Sequence, residues 1–108
     1  MRVKFEYKHK KFEWDHEKVS RVLAERGIDF RDAAIALVDG QALIASSPRN
    51  GEERHVGLVE IHGQVWAVVH TWRGETLRII TVRRARIREE RAYRDVFAER
   101  VEASEKSD

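Results

Sequence analysis

The spacing of apolar residues changes period several times along the 108-residue chain. Residues 3–14 alternate weakly, with Val3, Phe5 and Tyr7 opposite Lys4, Glu6 and Lys8, which predicts an edge strand or arm. A helical period follows. Val19, Val22 and Leu23 share a stripe, Asp15 stands where an N-cap belongs, Glu17 suits the first turn, and Gly27 suits the C-cap. Asp29 opens a second short helix with Phe30, Ala33, Ala34 and Leu37 on one face and Gly40 at its end. So few residues separate the two that they predict a hairpin of helices.

After Gly40 the period shortens. "QALIASS" (41–47) reads as a short strand, closed by the loop "PRNGEE" (48–53). "RHVGLVEI", "QVWAVVHTW" and "TLRIITV" read as three more strands, joined by "HG" and "RGE". Links this short predict antiparallel neighbours. "QVWAVVHTW" is apolar on both faces and should be central. From Arg86 a helical stripe returns through Tyr93, Val96, Phe97 and Val101, and the polar tail 103–108 should be flexible. The predicted fold class is α+β: two N-terminal helices, a four-stranded antiparallel sheet and a C-terminal helix, with the helices on one face. Length fits one domain, 1–108, preceded by a basic arm or edge strand at 1–11.

Composition removes several classes of function. Without cysteine there is neither a disulfide framework nor a zinc–thiolate site. No apolar run reaches the length of a membrane span, and the basic N-terminus lacks the apolar block of a signal peptide. The expectation is a soluble cytoplasmic protein with no membrane partner. The five histidines show no metal-binding spacing, and neither GxxxxGK[ST] nor GxGxxG occurs, so no metal or cofactor is expected.

Charge is unevenly placed although the net value is only +2. Residues 1–14 carry five Lys/Arg against two Glu, and residues 77–94 carry seven Arg against two Glu. The remainder is acidic. Such segregation predicts a basic face suited to nucleic acid or an acidic protein; a well-solvated surface is the alternative.

The candidate chemistry gathers in "LRIITVRRARIREERAY" (77–93). Regular alternation would put Arg78, Ile80 and Val82 on one face of a strand, and Leu77, Ile79 and Thr81 on the other. Arg78 is a charge in an otherwise apolar segment and needs a partner, because it cannot deprotonate. Arg83 and Arg84 follow at the strand end, pointing opposite ways. Planar guanidinium groups match phosphate oxygens two at a time, so the three could hold a phosphodiester. Alternatively Arg78 pairs with a carboxylate such as Glu53, and the other two are solvated. Arg86, Arg88, Arg91 and Arg94 read as a mostly solvated helix face. Tyr93 lies on the apolar stripe of the last helix, with Glu89 one turn before it. His70 and Arg73 close the central strand. Histidine is a natural acid–base group near neutral pH, yet a lone strand histidine is more often structural. Trp66 reads as core, and Trp14 as a cover for the first helix or a base-stacking ring.

The order of these residues resembles the BrnT family, toxins of BrnT–BrnA type II toxin–antitoxin systems. The likeness is carried by "FEWD" (12–15), Lys18, "RGIDF" (26–30), Ala33, "EER" (52–54), Gly57, "HTWRGETLRIITVRRA" (70–85), Glu89 and Tyr93. It implies a RelE-like fold and a ribonuclease that arrests translation. The implied partners are an RNA substrate, on or off the ribosome, and a ribbon-helix-helix antitoxin that neutralises the toxin. A dimer or a heterotetramer with that antitoxin is left open. This chain departs from the family pattern at Glu25-Arg26, where Lys-His is common, and at Arg86 and Glu90. Its segment before "FEWD" is also longer than usual.

The reaction expected on that resemblance is metal-independent attack of a ribose 2′-OH on the adjacent phosphate. It needs a base, cations for the extra negative charge, and a proton for the leaving oxygen. Arg78 and Arg83 are expected to bind phosphate, with Arg84 assisting. Glu53, Glu89 or His70 could be the base, and Tyr93 or an arginine could serve the leaving group. Lys18, Arg54 and Arg73 are further RNA contacts. The rival readings are a non-catalytic nucleic-acid-binding module and a protein-interaction domain with a basic face.

Overall fold

The alternation over residues 3–14 forms a hairpin, not a single arm. In the computed structural model, which describes the backbone of residues 1–106 and the side chains of residues 1–98, β1 (Arg2–Tyr7) pairs antiparallel with β2 (Lys10–Asp15). Between them Lys8 and His9 both have positive φ, 48° and 65°. A two-residue loop of that twist is normally announced by Asn-Gly or Asp-Gly. Neither is present, so the reversal has no sequence signal. Tyr7 and Lys8 both donate hydrogen bonds to Asp39, which anchors the turn to the end of the second helix.

The two helices start as their caps predict. Asp15 accepts from the Glu17 N–H at 2.9 Å and opens α1 (His16–Arg26). Gly27, at φ 70°, ends it with its N–H on the Leu23 carbonyl. Asp29 accepts from the Arg31 N–H at 3.0 Å and opens α2 (Phe30–Asp39). There follow β3 (Leu43–Ser46), β4 (His55–Ile61), β5 (Gln64–Arg73), β6 (Thr76–Arg84) and α3 (Ile87–Lys106).

The sheet has six strands in the order β1-β2-β6-β5-β4-β3 and is mixed. β2 lies parallel to β6, with Phe12 opposite Leu77 and Glu13 opposite Arg78, while every other pair is antiparallel. The expected four-stranded antiparallel sheet is thus only its β3–β6 part. The helix pair is not N-terminal to the sheet but lies between its second and third strands. Residues 1–15 were legible as extended, but pairing β2 with β6 requires closing a loop of some sixty residues, which no local pattern encodes.

The helices also cover both faces rather than one. α1 and α2 enclose a core with Phe12, Trp14, Val59, Trp66, Val68, Ile79 and Val82. Trp14 is 1% exposed and meets Phe30 edge-on at 6.0 Å, so its ring is core. An edge-to-face pair of this kind contributes about 1 kcal/mol beyond burial. On the opposite face Tyr93 and Phe97 of α3 pack with Leu58, Val65 and Ala67. The side chain of Val101 and residues 107 and 108 of the expected tail lie outside the described residues.

One irregularity governs what β6 presents to each side. Val69 pairs with Thr81, but His70 pairs with Ile79, so Ile80 is an extra residue in a β-bulge. Ile79 and Val82, three apart, therefore both enter the helix-pair core. This corrects the regular alternation that grouped Val82 with Arg78.

Candidate functional site

On the face carrying α3, part of the sheet remains open. The bulge turns Ile80, Thr81 and Arg83 toward this side. With Val56 and Val69 on the neighbouring strands they floor a cleft of about 300 Å³. Its walls are Ser47, Arg49 and Arg54 from the β3–β4 loop and strand edge, and Arg86 from the start of α3. Four arginines thus converge on one small hollow.

Arg83 is the most firmly placed. Its Nη1 and Nη2 donate to the two carboxylate oxygens of Glu89 at 2.8 and 3.0 Å, a bidentate fork. Glu89 Oε1 also accepts from the Arg86 N–H at 2.8 Å. An acidic residue at the third helical position reaching back to the cap N–H is half of a capping box, so one carboxylate both starts α3 and orients Arg83. The hydrogen bond from Arg83 holds the Glu89 carboxyl below the usual glutamate range, against the opposing effect of burial. The same hydrogen bond raises Arg83 further. Both are charged at neutral pH, and Arg83 is oriented rather than free to wander.

Arg54 also lines the cleft and is steered by Glu52, with Nη2 to Oε2 at 3.1 Å. Arg26, which stands in the Glu25-Arg26 departure, donates from Nη1 to the Val82 carbonyl at 2.7 Å. It satisfies a strand-edge acceptor directly beside Arg83.

Arg78 stands elsewhere on the same face. Its partner is Glu13, at 2.8 Å, rather than Glu53. Glu13 is buried and also meets Arg2 Nε at 3.2 Å and Arg73 at 3.9 Å. Along β6 the Cα atoms of Arg78 and Arg83 are about 15 Å apart, and the two guanidinium groups are engaged by different carboxylates, Glu13 and Glu89.

Several other candidates lie away from the cleft. His70 is 1% exposed on the helix-pair face, where its Nδ1 lies 2.9 Å from the Val68 carbonyl. Burial lowers its pKa, so it is neutral at pH 7. Gly57 sits against it: a Cβ there would lie 3.1 Å from Leu37 and 3.4 Å from the His70 ring, so the bare backbone admits both side chains. Tyr93 is buried and donates to the Gln41 carbonyl at 3.1 Å, which places its hydroxyl in the structure under α3. Glu53 projects outward beside His55, while Thr71 holds its carbonyl at 2.7 Å. Arg84 lies over the Trp66 ring at 5.4 Å, on the side opposite Arg83. Lys18 is half-buried on α1 and does not line the cleft.

Arg49 and Glu13 are not among the site candidates legible in the sequence, and Arg86, expected on a mostly solvated helix face that helps attract RNA, lines the cleft. Arg49 lies in an aperiodic loop that offers no signal. Glu13 did have one: it falls within "FEWD", among the residues that carried the resemblance.

Residues 14–89 match the family described as the ribonuclease toxin BrnT of a type II toxin–antitoxin system. That span is most of the chain, and the protein belongs to the BrnT family. No curated protein matches it. Among the described residues no helix is long and apolar enough to cross a membrane, and no three His, Cys, Asp or Glu side chains come together to hold a metal.

Proposed function

We propose that the Arg83 cleft is the active site of a metal-independent endoribonuclease that inhibits translation in the cytoplasm. The observation that carries this reading is the bidentate Arg83–Glu89 pair set among Arg49, Arg54 and Arg86. Arg83 holds the scissile phosphate, and the flanking arginines neutralise the charge that builds up in the transition state. Glu89, held by Arg83 at the margin of the cleft, accepts the 2′ proton. The O2′–P bond forms as the P–O5′ bond breaks, leaving a 2′,3′-cyclic phosphate and a 5′-hydroxyl. A guanidinium hydrogen bond stabilises the departing oxygen, and water supplies its proton. Arg78 contacts the chain at a neighbouring position rather than at the reacting phosphate. The partner protein is a ribbon-helix-helix antitoxin, and the architecture of helices on a small sheet agrees with a RelE-like relationship.

The test is cleavage of single-stranded RNA by purified protein in EDTA, alone and with ribosomes, comparing wild type with Arg83→Ala. Cyclic-phosphate products from wild type, lost in a normally folded variant, support the reading. Dependence on added metal, or equal cleavage by Arg83→Ala, sinks it. Salt-sensitive RNA binding without product under any of these conditions identifies a binding module instead.

A further inference from the structure

The family match begins at residue 14, so β1 and most of β2 lie outside it. This hairpin adds an edge to the sheet, and the edge is basic. Val3 and Phe5 pack into the helix-pair core, which turns Arg2 and Lys4 toward the face that carries the Arg83 cleft. There Arg2, Lys4 and Lys11 line a groove of about 440 Å³ together with Thr76 and two carboxylates, Glu13 and Glu6, the latter opposite Lys11 across the hairpin. Glu13 meets three guanidinium groups, those of Arg2, Arg73 and Arg78, and one carboxylate cannot neutralise three cations. It orients them instead. Arg2 is half-exposed and uses Nε for Glu13, leaving its terminal nitrogens for another acceptor.

Arg78 links this groove to the cleft. It lies on β6 between Thr76, at the groove, and Thr81, at the cleft. From β6 to β1 is two strand spacings, about 10 Å. The cations therefore follow a line across an open sheet face. That arrangement suits a flexible polymer with a negative charge at each repeat.

We propose that the β1–β2 hairpin is an accessory subsite for single-stranded RNA, binding backbone phosphates that flank the nucleotides in the Arg83 cleft. The proposal rests on the cleft being the RNA site. It predicts that RNA long enough to reach the hairpin is held more tightly than RNA that fills the cleft alone.

The probes are fluorescein-labelled 2′-O-methyl RNAs of mixed sequence, which resist cleavage: a trimer and a chain of about twelve nucleotides, titrated by anisotropy at several salt concentrations. The variant is Arg2→Ala/Lys4→Ala, with its fold checked by thermal unfolding. The double variant should bind the longer RNA about fivefold or more less tightly, and its salt slope should fall by about 1.4, for two lost phosphate contacts. Trimer binding should not change, and Arg2→Lys/Lys4→Arg should restore the longer RNA. Equal affinity and slope for the longer RNA overturn the subsite. So does a double variant that keeps RNA affinity and loses only antitoxin binding, since the hairpin is then a protein interface. Cleavage of the unmethylated trimer by wild type and by Arg83→Ala reports on the cleft alone, so failure there is distinguishable from failure of the hairpin.

Discussion

Glu13 and Arg78 are register partners across the parallel β2–β6 pair, and their side chains meet at 2.8 Å. This contact joins the N-terminal hairpin to the rest of the sheet. Glu13 is 6% exposed, so removing its charge would leave half-buried Arg78 without a counter-ion. Glu13→Ala should therefore lower stability by about 3 kcal/mol. Urea denaturation measures this. A change below about 1 kcal/mol would show that the cluster is solvated enough to lose its anion freely.

The Arg83–Glu89 pair predicts effects on both stability and chemistry. The folded state depresses the Glu89 pKa, so its stabilising contribution is complete above the ordinary glutamate range and is lost as pH falls through the lower folded value. Glu89→Gln should cost about 1 kcal/mol at neutral pH, and the difference from wild type should shrink on acidification. The same variant should slow RNA cleavage by about tenfold or more, and Arg83→Ala by about a hundredfold. Urea midpoints measured across the acid range, together with single-turnover cleavage rates, test the two halves separately. A stability gap that does not change with pH would rule out the ion pair as its source.

Tyr93 is expected to serve the fold rather than the chemistry. Its hydroxyl donates to the Gln41 carbonyl, and its ring lies 4.6 Å from Phe97. Tyr93→Phe should lose about 1 kcal/mol and leave the cleavage rate within about twofold of wild type. A much larger loss of rate with stability intact would return the hydroxyl to the chemistry.

His70 makes the fold sensitive to acid. Burial depresses its pKa, so below the ordinary histidine value near 6.5 the unfolded chain takes up a proton that the folded chain does not. Stability should be full above that value and decline as pH falls toward the folded pKa. An imidazole titration by NMR should find His70 below 6.5, and His70→Gln should flatten this part of the stability profile. A titration at or above 6.5 would contradict the neutral, buried assignment.

Local periodicity and capping determined much of this protein. The helices at Asp15–Gly27 and Asp29–Gly40, four of the six strands and the start of α3 were legible, because each is specified by neighbours within a turn or a strand. The resemblance in "FEWD" and "RIITVRRA" also marked the family, and the charge count marked a basic region. The rest depended on contacts between residues far apart in the chain. Nothing near Glu13 indicates that it meets Arg78, and the β1–β2 reversal lacks a turn signal. The bulge at Ile80 arises only when β6 is paired with β5, and it decides that Val82 is core while Arg83 faces the cleft. Run together in the sequence, Arg78, Arg83 and Arg84 looked like one site. Tertiary structure gave them three surroundings, Glu13, Glu89 and the Trp66 ring, because the pleat, the bulge and the strand order aim each side chain and no local pattern carries all three.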